Sequence, residues 1–472
     1  MRLTIGLLLA LLYSLQLTAK DGYKITIKLT DRKDSMLYLA HYYGKPFPTI
    51  YKSDSTRMDK NGVAVFTNSE KTTGGIYMIL SHDLKSYFEF LLNNGDDLTA
   101  TAAMDDLPKS VAFKGSPLNN DFKAYQEFLV NFSKEQQGYQ SALAKATTKA
   151  DSATIHKQIT KAGEELKEYR RKYVASHGGN LLASIFNALE LPEIPEGVHH
   201  TEDGKVDSNY GYRYYKAHYW DGFNFQDDRL IHTPILQSRL DEYFNRLVYN
   251  PDTAIENADM ILSKMRGSEH LFRYTLNWLS TNAQTSKIMG MDKLFVHLVG
   301  NYYMKGDASW LSDEDLAKYI DRAKKIAPNL IDNPAPELQA VDVELNPKSL
   351  YDYNAKYTLL IFYSPDCGHC IKEIPQIDSL YRAELKAKGM RVWAFNVDKE
   401  ELKWREFIKK HKLEEWQHIW DPKNASKYWA KYDVQTTPSI YLLDEEKIIK
   451  GKKLDVSTIA KALEIAELKK KK

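Results

Sequence analysis

Two cysteines are all that this chain of 472 residues contains, and they stand one helical turn apart at Cys367 and Cys370. That spacing excludes more than it allows. A single pair across so short a loop cannot staple the fold, because the entropy a cross-link removes from the unfolded chain grows with loop length. Two thiols with no third cysteine cannot build a four-thiolate zinc site. Stability must come from hydrophobic cores, and a chain of this length calls for about three of them. Composition permits this: apolar residues are 43% and charged residues 27%, the balance of a globular protein. For the C-x-x-C pair itself, redox chemistry is the reading that remains.

Charge narrows the partners. Lys and Arg number 65 against 63 Asp and Glu, a formal charge of +2, so no sustained cationic face is available for nucleic acid. The terminal lysines, Lys469 to Lys472, read as a solvated end. At the other end Arg2 precedes an apolar run from Leu3 to Leu15, and Leu17-Thr18-Ala19 offers a cleavage site. The run is shorter than the roughly 18 residues a membrane span needs, and no cysteine follows it to carry a lipid. Residues 1–19 therefore read as a signal peptide, and the mature chain as exported and soluble.

The period of the apolar residues changes twice along the mature chain. Over residues 20–115 it is that of strands, as in Tyr23 to Leu29, Met36 to Tyr43, Gly62 to Thr67, Ile76 to Ser81, Tyr87 to Leu92 and Val111 to Phe113. Turn signals at Asn61-Gly62, Gly74-Gly75 and Asn94-Gly95-Asp96 separate them, which predicts a small antiparallel β-sandwich. Over residues 116–332 the period is helical, beginning with the stripe Leu118, Phe122, Tyr125, Phe128 and Leu129. Leu191 to Asp228 interrupts it with prolines and glycines and reads as a loop packed onto the helices. Tyr210, Tyr212, Tyr214, Tyr215, Tyr219 and Trp220 crowd this segment and could also line a binding surface. His199-His200 has no further ligand at a helical spacing and reads as solvated; no metal site is expected. Asn333-Pro334-Ala335-Pro336 reads as a linker.

Residues 333–472 alternate strand and helix. Tyr357 to Tyr363 is an unbroken apolar run, the pattern of a strand buried on both faces. Ser364-Pro365-Asp366 turns the chain, and Cys367-Gly368-His369-Cys370 opens a helix. Only a thiolate attacks a disulfide, and a helix N-terminus stabilises one with its unpaired N–H groups. Cys367 is thus the expected nucleophile and Cys370, one turn inward, the resolving thiol. His369 adds partial positive charge beside the sulfur, and Asp366 opposes it.

The run from Tyr357 to Cys370, Pro375 five residues on, and Thr437-Pro438 ahead of another strand together resemble the thioredoxin superfamily. With the Ala335-Pro336 start and the leader, the chain is most similar to the TlpA/ResA-type extracytoplasmic branch. The order of β-rich, helical and thioredoxin-like domains resembles exported Gram-negative proteins whose first two domains have no assigned role, which implies a periplasmic location. The resemblance implies that Pro438 is a cis-proline facing the disulfide and that Thr437 offers backbone groups to substrate. It implies that Pro375 kinks the helix and that Glu373 is the acid of the ResA-type subgroup, here expected to carry the Cys370 proton. The buried acid of cytosolic thioredoxins would fall at Ile361 and is missing. The implied activity is thiol–disulfide exchange with substrate proteins that carry disulfides or thiols, needing no cofactor and leaving room for a membrane thiol electron donor; its direction stays open. Two rivals are a peptide- or glycan-binding protein with a non-catalytic thioredoxin-like domain, and a thiol peroxidase. The peroxidase needs a threonine three residues before the reactive cysteine, where this chain has Ser364.

Overall fold

The computed structural model describes residues 21–470; the expected signal peptide and the last two lysines lie outside the described residues. Packing divides the chain into two compact units. One runs to Leu247 and takes in Lys264–Leu271, and the other comprises Val248–Ser263 and Phe272–Lys472.

The first unit opens with strands β1 (Tyr23–Leu29), β2 (Met36–His41), β3 (Tyr51–Arg57), β4 (Val63–Asn68), β5 (Gly75–Ser81), β6 (Tyr87–Leu92), β7 (Asp96–Ala102) and β8 (Ala112–Lys114). They form two four-stranded sheets, ordered β4-β1-β7-β8 and β3-β2-β5-β6. Alternate residues of both sheets, including Ile25, Ile27, Leu39, Ile79, Phe88 and Phe90, meet in one core. The expected sandwich is present, but it is not wholly antiparallel. β1 pairs antiparallel with β4 and parallel with β7. The parallel pair is possible because the whole second sheet lies in sequence between β1 and β7, a connection long enough for a crossover.

Five helices follow: α1 (Pro117–Lys145), α2 (Lys149–Ser176), α3 (Leu181–Leu189), α4 (Tyr210–His218) and α5 (Ile235–Glu242). Asn119 fastens α1 to the sheet: its side chain accepts from the Leu91 N–H at 2.6 Å and donates to the Leu91 carbonyl at 2.9 Å. The segment expected as a loop contains α4. The aromatic residues there are core rather than surface at their C-terminal end, where Tyr219 and Trp220 are buried and pack on Tyr243. Tyrosine and glycine are weak helix formers, so the propensity was low; ring burial supplies what propensity lacks. His199 stacks on Tyr210 with ring centroids 3.5 Å apart.

The second unit holds α6 (Pro251–Lys264) and α7 (Glu269–Thr285), with the return between them belonging to the first unit, then α8 (Asp292–Leu298) and α9 (Asp313–Ile326). Its sheet uses β9 (Gln339–Val341), β10 (Pro347–Ser349), β11 (Tyr357–Tyr363), β12 (Met390–Asn396), β13 (Gln417–Trp420), β14 (Ser439–Asp444) and β15 (Ile449–Lys452). The order is β10-β9-β13-β12-β11-β14-β15. β11, β12 and β13 run parallel, and β14 is antiparallel to β11. Four further helices complete it: α10 (Gly368–Leu380), α11 (Glu401–His411), α12 (Tyr428–Lys431) and α13 (Ile459–Lys470).

All seven residues of β11 are buried, as a strand covered on both faces must be. Leu359, Ile361 and Tyr363 face a core shared with α10, α11 and α13. Leu360 and Phe362 face the opposite core, with Ala335, Leu338 and Tyr432. Ala335 thus belongs to the fold and not to a free linker. The Asp332 and Ala335 N–H groups donate to the Ile449 and Lys447 carbonyls, both at 2.8 Å, and the Ile449 N–H donates back to Asn333 at 2.9 Å. The prolines lack N–H groups, but the residues around them keep theirs, and that suffices to lay the segment along the sheet edge.

Candidate active site

β11 delivers the chain to the turn Ser364–Asp366 and the two cysteines beyond it. Cys367 has extended backbone (φ −78°, ψ 119°) and is the N-cap of α10. Its N–H donates to the Ser364 carbonyl at 3.2 Å, and its carbonyl accepts the first helical bond from Ile371 at 3.0 Å. Cys367 is half-buried, whereas Cys370 is wholly buried. The Cys367 thiol donates to the Thr437 carbonyl at 3.1 Å, and the Thr437–Pro438 bond that follows is cis. The structure therefore brings together Cys367, Cys370, Thr437 and Pro438 from elements about seventy residues apart.

The two sulfurs differ sharply in acidity. At Cys367 partial burial works against the thiolate, but hydrogen bonding outweighs it and the pKa falls. The contributors are the Thr437 side chain, the Cys370 backbone and thiol, and the His369 backbone, the last two backbones being the opening N–H groups of a helix. Burial pushes Cys370 the other way, up to about 12, and its closeness to Cys367 adds to this.

The remaining candidates fall in less expected places. The His369 side chain is exposed, and its backbone rather than its imidazole bears on Cys367. Glu373 is half-buried and accepts a hydrogen bond from the Val456 N–H at 3.1 Å, tying α10 to the segment ahead of α13. Pro375 lies inside α10, where its missing N–H leaves the Ile371 carbonyl without a helical donor. Asp366 does not confront Cys367 alone, because Lys403 on α11 reaches it at 2.8 Å. Ser364 donates to Asp398 at 2.5 Å.

Behind the cysteines lies a buried polar chain that no local motif announced. Trp404 Nε1–H donates to Tyr363 Oη at 2.9 Å. His418 Nε2 lies 2.8 Å from the Leu413 carbonyl, and a carbonyl only accepts, so Nε2 carries the proton. Nδ1 is then an acceptor, filled by the Tyr363 hydroxyl at 3.2 Å. Burial pushes His418 down to about 4. Each partner comes from a different strand or helix, so only the fold assembles them. The loop that carries Thr437 is held similarly: Arg322 on α9 pairs with Asp433, and Asn329 donates to the Lys431 carbonyl at 3.0 Å.

Residues 331–452 match the AhpC/TSA family. This segment is a thioredoxin-like domain of that family. Residues 23–122 and 140–329 match two domains of unknown function, DUF4369 and DUF5106. The thioredoxin-like domain is similar to thiol-disulfide oxidoreductase ResA of Bacillus cereus, 28% identical over 116 residues, 25% of this chain and 65% of that protein. With ResA of Bacillus thuringiensis the identity is 30% over 83 residues, 18% of this chain and 47% of the relative. The chain thus spans about half to two thirds of the length of these curated relatives. Among solved structures, a domain of a possible thiol-disulfide isomerase from Cytophaga hutchinsonii is 34% identical, with 31% of this chain and 98% of that one covered and a TM-score of 0.29. A thioredoxin-like protein from Bacteroides caccae is 23% identical, with 58% and 98% covered and a TM-score of 0.47.

Proposed function

We propose that the chain is an exported thiol–disulfide oxidoreductase that exchanges the Cys367/Cys370 dithiol–disulfide with disulfides or thiols of substrate proteins. The observation that carries this reading is the asymmetry of the pair: a half-buried sulfur of lowered pKa at a helix N-cap and a buried one held near 12. In the reducing direction the Cys367 thiolate attacks a substrate disulfide, forms a mixed disulfide and releases one substrate thiolate. Cys370 then loses its proton and attacks the Cys367 sulfur. The second substrate thiolate leaves, the pair is oxidised, and the substrate has gained two electrons. The oxidising direction is the reverse. Thr437 and Pro438 are the surface against which a substrate strand would lie beside Cys367, with the Thr437 carbonyl released from the thiol to accept a substrate N–H.

Cys370 cannot resolve unaided, since a thiol near 12 is almost wholly protonated at neutral pH. Glu373 stands one turn beyond it on α10, the spacing at which helical side chains are neighbours, and is assigned the role of taking this proton directly or through one water. The carboxylate also holds Val456, so the discriminating variant is Glu373→Gln, which keeps an acceptor oxygen and loses the base. It should slow resolution about a hundredfold in single turnover near neutral pH with little change in stability. Unchanged resolution would make Glu373 an anchor only. The leader-like residues 1–19 support export, and the location assigned is the periplasm. A membrane thiol donor is a fitting source of electrons.

Trapping tests the assignment. Cys370→Ala should accumulate mixed disulfides with partner proteins and Cys367→Ala should not. Equal trapping by the two variants would sink the division of roles.

A further inference from the structure

The second unit contains a cavity of about 740 Å³ between the segment Ala283–Asp292 and the β15–α13 segment. Its walls are apolar, with Ile288, Met289, Leu454 and Ile465, and its rim is cationic. Lys287, Lys453 and Lys461 line it and are exposed; among the described ion pairs none of the three has a partner. The lining contains two acids. Asp455 spends its carboxylate as the cap of the α13 approach, accepting from the Ser457 and Thr458 N–H groups, both at 3.0 Å. Asp292, 5% exposed, pairs with the buried Lys452 at 2.7 Å through Oδ2, while its Oδ1 is buried without any hydrogen-bond donor.

One wall of the cavity, Lys452 to Asp455, is hydrogen-bonded through its own segment to the elements that carry the thiols and Pro438. Along the strap from Lys452 to Val456, the Leu454 N–H donates to the Ile440 carbonyl at 3.2 Å, two residues after Pro438. The Val456 N–H donates to Glu373, three residues after Cys370. The strap therefore touches both elements that frame the thiols and at the same time lines the cavity.

We propose that this cavity docks an extended, acidic segment of the substrate protein, an inference that rests on the redox reading above and names the substrate's chemistry. Carboxylates of the segment meet Lys287, Lys453 and Lys461, and apolar side chains fill the walls. Binding there holds the neighbouring disulfide beside Cys367.

The test uses the full chain and two short fluorescein-labelled peptides without cysteine, one with Asp and Glu among leucines, the other with Asn and Gln in their place. Anisotropy should show binding of the acidic peptide, weakened on the order of tenfold by Lys287→Glu/Lys461→Glu and again by the neutral replacement. With a disulfide placed in the acidic peptide, the double variant should raise KM and leave kcat unchanged. Equal binding of the two peptides, or equal binding by wild type and variant, overturns the proposal. So does uptake by phosphatidylglycerol vesicles without peptide binding, which would assign the lysines to a lipid surface. Hydroxyethyl disulfide, small and neutral, keeps the two readings apart. Its reduction by both proteins upholds the redox chemistry whatever the peptides do, and its inertness with peptide binding intact would sink the redox reading alone.

Discussion

A thiol held near 12 exposes its thiolate in about one molecule in 100,000 at neutral pH, and Cys370 is wholly buried besides. Iodoacetamide should therefore modify Cys367 alone in the folded protein, with a pH midpoint below that of a free cysteine. Peptide mapping that found both sites labelled at similar rates would contradict the acidity described for the pair. His418 makes a second residue-scale case. Its folded pKa is about 4 against 6.5 for a free imidazole, so between those values the unfolded chain binds a proton that the folded chain does not. Its contribution to stability is complete above about 6.5 and is lost as the pH falls toward 4, on the order of 3 kcal/mol in all. His418→Gln should flatten the decline in urea midpoint between pH 7 and pH 4.5 relative to wild type. Parallel declines would mean that the imidazole is not buried neutral. Cys367 and Cys370 were legible because their chemistry depends on local spacing, and the Tyr363–His418–Trp404 chain was not, because its spacing along the sequence carries no pattern.

At the scale of elements, α10 presents its N-terminus to Cys367 while α11 disarms the acid beside it. Lys403→Ala should leave the Asp366 carboxylate beside the sulfur uncompensated and raise the Cys367 pKa, readable in the pH dependence of alkylation. No change would mean that solvent already screens Asp366. The elements found from sequence, β1, β2, β4, β5, β6, β8, β11, β12, β14 and most helices, are mainly those whose period is carried by large side chains. β3 was missed because both its faces are largely exposed and its residues, Tyr51-Lys52-Ser53-Asp54-Ser55-Thr56-Arg57, have no apolar alternation. β7 was missed because its buried positions are Leu98, Ala100 and Ala102, too small to outweigh the aspartates and threonines between them. α4 was hidden by Gly211 and a run of tyrosines. In each instance the long-range partner, not the local sequence, decides the conformation.

At the scale of the molecule, the strand–helix domain is not closed at Asn333. Lys452 on β15 carries a buried ammonium whose partners, Asp292 and Asn329, come from the helical segments before it. Burial lowers its pKa, with Asp292 opposing, so desolvation outweighs the attraction that the pair supplies. Asp292→Asn should cost about 3 kcal/mol or more, because it strands a buried charge, while Asp292→Leu with Lys452→Met should recover most of that loss. Denaturant melts of the three variants decide it; equal costs for single and double changes would mean that the pair is solvated. The same feature gives the chain an internal seal. Acetic anhydride or a succinimide ester should acylate the exposed lysines and pass over Lys452 for as long as the helical segment stays docked. An acyl group found on that nitrogen would record that the seam between residues 292 and 452 had come open, even in a sample whose secondary structure looked untouched.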